Sequence, residues 1–321
     1  MRQAGRYMQA YRDLRTRYSL LELCRHPELA VAVTVQPVEA IEVDAAILFS
    51  DLLLPFTPMG LDFDFVKGEG PSIERPIRSE EDLARLRTFE AREALGYVLE
   101  TIRLLRKELA GRVPLIGFGG APFTLAAYAI EGGPSSGYEL TKRFMYSQPR
   151  AWHRLCDYFA GVMADYLKAQ IEAGAQALQL FDSWAGALSR NDYREFALPH
   201  TKRIFDELTG SGVPLIHFGV GTSAMLGDIA QAGGSVVGVD WRLPLDEAWD
   251  TIGHDRGIQG NLDPMLLLGP TDRLLMAADD VLFRAGKRAG HIFNLGHGIL
   301  PSTPLEHVQE LAKHVHAASR R

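Results

Sequence analysis

Cysteine is almost missing from this chain: Cys24 and Cys156 are the two in 321 residues. Two thiols build no disulfide framework, and both stand in apolar, helix-like patterns. They read as buried thiols of a reducing, cytoplasmic compartment. Also missing is any apolar run of membrane-spanning length, or the apolar stretch of a signal peptide at the front. There is no basic excess either, since 34 lysines and arginines face 40 acids for a formal charge of −6. That excludes a general binder of nucleic acid or of anionic membranes, whose affinity rests on a broad basic surface. The chain has no short repeat, no P-loop, no dinucleotide fingerprint and no Gly-x-Ser-x-Gly elbow. Neither His217 nor His297 has metal-ligand spacing to a second His, Cys or carboxylate, so no metal site is expected.

What is present is alternation. A hydrophobic content of 46% supports a large core, and short apolar runs take turns with longer helical patterns. The runs are 45–49, 113–118, 177–181, 213–218, 236–239, 257–260 and 291–295. Strands separated by helices predict a parallel sheet with helices outside it. Seven strands are countable, and an eighth, closing strand is expected although periodicity does not show it. The expected fold is a (β/α)8 TIM barrel, as a single domain over residues 1–321. Between the strands, Leu155, Phe159, Val162, Met163, Tyr166, Leu167 and Ile171 recur at helical spacing until Gly174 stops the run. Thr303-Pro304-Leu305-Glu306 predicts an N-cap and capping box opening a terminal helix. Residues 63–77, with Gly68, Gly70, Pro71 and Pro76, predict an irregular excursion or a small hairpin on the rim.

Polar or glycine residues stand at the end of nearly every strand: Asp51, Gly119, Asp182, Ser183, Gly219, Asp240, Asn261 and His297. In a barrel of this kind, that end is where active sites are built. Four candidates carry particular weight. Arg2, Arg6, Arg12 and Arg15 crowd the first fifteen residues around Gly5, and read either as a solvated helix face or as a polyanion clamp. Asp51 follows an apolar strand, as a turn cap or as a carboxylate that supports a developing cation. Tyr128 follows the glycine-rich stretch GFGGAPF on a helix begun by Pro122, as core or as a hydroxyl reaching the cavity. His297, between two glycines, has little local packing, with His217 as its rival. Phe118, Phe181 and Phe123 supply apolar walls or core.

Taken together, these segments resemble the uroporphyrinogen decarboxylase family. MRQAGRY (1–7) and GFGGAPFTLAAYAIEGG (117–133) match its two signatures, while FSDLLLP, FDSWAG, HFGVGT, GNLDP and FNLGHGILPSTP follow in the expected order. Family members carry a proline and a tryptophan ahead of Met-Arg-Gln, so further residues are expected before Met1. The resemblance implies a cofactor-free carboxy-lyase of heme and related tetrapyrrole synthesis. Its reaction converts the four acetate side chains of uroporphyrinogen III to methyls, giving coproporphyrinogen III, in a barrel that is usually a homodimer. By that resemblance Arg2, Arg6 and Arg15 anchor substrate carboxylates and Asp51 holds the pyrrole N–H groups. Tyr128, Ser183 and His297 line the cleft, and Arg2 or a water it orders delivers the proton. The competing reading is a cobamide-dependent methyltransferase on a related barrel. It needs a zinc-bound thiolate near the strand ends, where neither cysteine is expected.

Overall fold

The computed structural model describes residues 3–66 and 70–319. Strand β1 (Ala46–Ile47) is followed by an antiparallel hairpin, β2 (Phe63–Val66) with β3 (Gly70–Ile73), which is the rim excursion the sequence predicts. Then come β4 (Leu115–Gly120), β5 (Ala177–Asp182), β6 (Leu215–Gly219), β7 (Val236–Gly238), β8 (Gly257–Leu262) and β9 (His291–Leu295). Apart from the hairpin, the strands form one parallel sheet in the order β1-β4-β5-β6-β7-β8-β9. Every one of the seven predicted runs holds a strand.

The sheet is curled. Gln179 on β5 and Gln259 on β8 are three strands apart, yet Gln259 Nε2 donates to Gln179 Oε1 at 3.2 Å across the interior. Successive side chains of a strand face opposite ways, so Gln179 and Phe181 point inward while Leu180 points to the helices. Phe118 meets Phe181 edge-on at 5.6 Å, and Phe181 meets Phe218 at 5.9 Å. This row of rings occupies the upper interior, above the paired glutamines.

The expected eighth strand is not found among the described residues. The outer edge of β1 is met instead by a side chain. The Gln3 amide donates from Nε2 to Ala45 O at 2.7 Å and accepts from Ile47 N at 2.8 Å. An amide group reproduces the donor and acceptor of a peptide, so it answers edge groups that would otherwise lack partners. Helices cover the rest of the seam. Gln309, on the terminal helix Leu305–Ser319, donates to Ala40 O at 2.7 Å, and His316 lies 3.1 Å from Asp44.

The predicted helices are also present. Helix Pro149–Ala173 buries Leu155, Phe159, Met163, Tyr166 and Leu167 against the sheet. It ends at Gly174, whose φ of +116° is one that a side chain would strain. The terminal helix packs Leu305, Val308, Leu311, Ala312 and Val315 on the core, as its pattern requires. Its predicted cap differs, because the buried Thr303 hydroxyl makes no hydrogen bond.

Candidate active site

The candidate residues reach one end of the sheet by different routes. Arg2 lies outside the described residues. Its neighbour Gln3 ties the N-terminal segment to β1, and Tyr7 donates back to the Gln3 carbonyl. Arg12 is spent on holding this segment, donating to Arg6 O at 2.7 Å and to Gln9. Arg6 is exposed, as is Arg15, which donates to Tyr18 O at 2.7 Å. The cluster therefore divides into one structural arginine and two that face solvent.

Asp51 sits four residues beyond β1, half-buried, beside the buried Leu53, Leu54 and Phe56. Its Oδ1 accepts from Leu53 N at 2.9 Å, which is the turn-cap arrangement. A carboxylate accepts about four hydrogen bonds, and the cap fixes the orientation of this one. The cap and chemical readings are compatible.

Tyr128 is on helix Pro122–Glu131, where the proline occupies the first turn and needs no N–H partner. Its ring lies against Trp184 with centroids 3.8 Å apart, and Tyr138 approaches the same indole at 5.1 Å. Trp184 and the half-buried Ser183 form the turn after β5. Thr124 braces that turn, accepting from Trp184 N at 3.3 Å and donating to Asp182 Oδ1 at 3.0 Å.

His297 is exposed just past β9, its ring nearly parallel to Phe218 at 6.5 Å. The glycine before it has a packing reason: a Cβ on Gly296 would fall 2.7 Å from Trp241 N. His217 behaves differently. It is fully buried, with Nδ1 on Ile229 O at 3.1 Å and Nε2 3.9 Å from Asp182 Oδ2. The strand alternation that turns Phe218 inward turns His217 toward the helices. Phe123 likewise belongs to the core, against Trp152 at 5.8 Å.

Thus Asp51, Tyr128, Ser183 and His297 all follow the C-terminal ends of parallel strands, around a mouth walled by Phe118, Phe181 and Phe218. Sequence reasoning passed over Trp184 and Gln3, though each adjoins a residue it singled out. The signal available was adjacency within a motif: Trp184 beside Ser183, Gln3 beside Arg2.

Both cysteines lie in helices, Cys24 in Leu20–Arg25 and Cys156 in Pro149–Ala173, and burial pushes both thiols up. A thiol that resists ionisation is a poor metal ligand and a poor nucleophile. Among the described residues, no group of three or more His, Cys, Asp or Glu is arranged to hold a metal ion, and no helix is long and apolar enough to cross a membrane.

Fold and rim define a barrel-like unit whose strand ends carry aromatic rings together with carboxylate, phenol, hydroxyl and imidazole groups. The sequence profile of the family described as uroporphyrinogen decarboxylase (URO-D) matches residues 1–318, and the chain belongs to that family. It is 56% identical over 320 residues to the uroporphyrinogen decarboxylase of Sorangium cellulosum, covering 100% of this chain and 91% of the relative. The corresponding enzyme of Carboxydothermus hydrogenoformans is 55% identical over 319 residues, covering 99% and 91%. Among solved structures, a methyltransferase from Methanosarcina mazei superposes with a TM-score of 0.77 at 21% identity, over 93% of this chain and 88% of that one. At such identity the likeness concerns the fold alone.

Proposed function

We propose that this chain is a carboxy-lyase that removes carbon dioxide from the four acetate arms of uroporphyrinogen III, giving coproporphyrinogen III in tetrapyrrole synthesis. The observation that carries this reading is a family match running from residue 1 to 318 together with relatives of that name at 56% and 55% identity. The rim supplies a chemical rationale for it.

Each turn removes one carboxylate and adds one proton. Protonation of a pyrrole carbon beside the acetate-bearing one makes the ring cationic. The bond from methylene to carboxylate then breaks, its electron pair enters the ring, and carbon dioxide leaves. The methylene carbon takes up a proton, the ring carbon gives one back, and a methyl group remains. Asp51 holds the pyrrole N–H groups and stabilises the cation. In a site walled by apolar side chains its charge acts more strongly than in water. Arg6 and Arg15, with Arg2, grip arm carboxylates by charge-assisted hydrogen bonds. Tyr128, braced on Trp184, and Ser183 and His297 complete the ring of contacts. Arg2 or a water it orders delivers the proton, a guanidinium by itself being a poor acid. The chain works as one unit, as a homodimer in the cytoplasm, in keeping with its family resemblance.

The test is to incubate the metal-stripped protein with reduced uroporphyrinogen and follow the product by mass. Stepwise loss of four carbon dioxides is the expected result. Unchanged substrate overturns the reading.

A further inference from the structure

Arg6 and Arg15 belong to the segment that Gln3 ties to the outer edge of β1, on one side of the sheet's end. A macrocycle with carboxylate arms all round it presents negative charge to the far side as well. Four steps along the sheet from β1 stands β7, about half way round a barrel of eight strands. The loop after it carries a guanidinium held in an unusual way.

Asp240, 4% exposed at the end of β7, accepts from Gly221 N at 2.5 Å, from Arg242 N at 3.0 Å and from Arg242 Nη1 at 2.5 Å. Arg242 itself is 48% exposed at its side chain, and its guanidinium carbon lies 4.4 Å over the Trp241 ring. The loop is pinned beneath. Asn261 Nδ2 donates to Asp240 O at 2.9 Å and to Leu243 O at 2.7 Å, while Gly296, next to His297, is in close contact with Trp241. The loop thus joins the end of β7 to the turn that carries His297.

Such an arrangement differs from an ordinary surface ion pair. The carboxylate is buried and takes three donors, whereas the guanidinium has five donors and uses one on it. The remaining four take no acceptor among the described residues. A stacked and clamped arginine has lost most of its freedom before any ligand arrives, so less is lost on binding. What this loop shows to solvent is a preset fork for a carboxylate.

We propose that Arg242 is a further substrate anchor, which holds an arm carboxylate of the tetrapyrrole on the side of the mouth opposite the N-terminal arginines. This rests on the decarboxylase reading above. Asp240 and Trp241 are positioning residues that act through Arg242.

The test uses the full chain and two readouts: steady-state decarboxylation of uroporphyrinogen, and direct binding of coproporphyrinogen under reducing conditions. Arg242→Ala is expected to raise KM about tenfold and weaken coproporphyrinogen binding comparably, as loss of a charge-assisted hydrogen bond does, with kcat little changed. Arg242→Lys keeps the charge but loses the fork, and recovers only a minor part. Arg242→Gln serves in its place if the alanine variant does not fold. Parent-like KM and binding in a folded variant overturn the proposal, as does full recovery by lysine. A fall in kcat with KM unchanged also overturns it, since that marks a merely structural loop. If the parent protein binds and turns over while the variant matches it, this inference alone fails. A parent that does neither removes the decarboxylase reading and the inference together.

Discussion

Phe49-Ser50-Asp51 and Phe181-Asp182-Ser183 end two strands of one sheet, and a transposition of two letters sends their acids to opposite environments. Ile47 pairs with Ile116, and Ile116 with Ala177. Carried forward, that register gives Asp51 the same facing as Phe181, toward the mouth. Asp182 faces the other way and is fully buried among helices, with Thr124 on one oxygen and His217 3.9 Å from the other. One acid is half-exposed with a turn N–H on it; the other is walled in. The comparison teaches that position in the pleat, rather than residue type, decides whether a strand-end aspartate faces the mouth or is enclosed by the surrounding helices.

Substituting each acid is the most direct attempt to break that contrast. Asp51→Asn keeps the shape and removes the charge, so turnover of uroporphyrinogen is expected to fall by about 10²–10³ or more, as when a preset electrostatic partner is lost. Much of the coproporphyrinogen binding should remain, and the thermal midpoint should stay near the parent's. Decarboxylation at the parent rate would end the cation-supporting role of Asp51. Asp182→Ala should show the reverse emphasis. Removing the acceptor leaves the buried Thr124 hydroxyl short of a partner, which costs about 1–3 kcal/mol and lowers the urea midpoint. Activity should follow only as far as the Trp184 turn loosens. An Asp182→Ala protein as stable as the parent would show that this buried acid supports nothing.

A smaller effect sharpens the contrast at the open edge of the sheet. Gln3→Ala removes a two-point amide contact, with a net value of about 1–2 kcal/mol, from a segment otherwise held by Tyr7 and Arg12. Most of that loss should appear as a several-fold rise in KM with the global melting temperature little changed, because the segment can detach while the sheet stays intact. A melting loss without a KM change would make Gln3 a stabiliser of β1 and would separate it from the arginines.

The seven strands are legible because buried parallel strands read as continuous apolar runs, each closed by a polar or glycine residue. An eighth was not to be found by the same sign, since a side-chain amide and a helix occupy its place. Pattern also could not assign the facing of His217 and His297. His217 lies within β6 and His297 just past β9, and only the structure shows that one lies beneath Phe205 and the other beside Phe218. Arg242 was invisible for a similar reason: Asp-Trp-Arg is unremarkable until the buried Asp240 is seen to hold both the backbone and the side chain two residues on. The motif resemblance supplied the candidate residues, and the fold supplied the contacts that hold Asp51 and Tyr128.

The weakest expected effect concerns two imidazoles, one buried and one half-buried, and it separates pH dependence of folding from that of the mouth. Burial lowers the pKa of His200, against the opposing pull of Asp157 at 2.8 Å, and burial lowers that of His291, against its hydrogen bond to Gly260 O. In the unfolded chain both take up a proton near pH 6.5. Between that value and the lower folded ones, the unfolded state binds more protons, so stability falls as pH falls. Above about pH 7 the contribution is flat. The carboxylates held low by arginines, such as Asp228 between Arg190 and Arg194 despite its burial, lose their contribution only below about pH 4. Melting curves between pH 7.5 and 5 should therefore decline gently from near 6.5, and His291→Gln, which keeps a donor for Gly260 O, should flatten part of that decline. A variant with the parent's slope would move the origin of the effect to His200 alone.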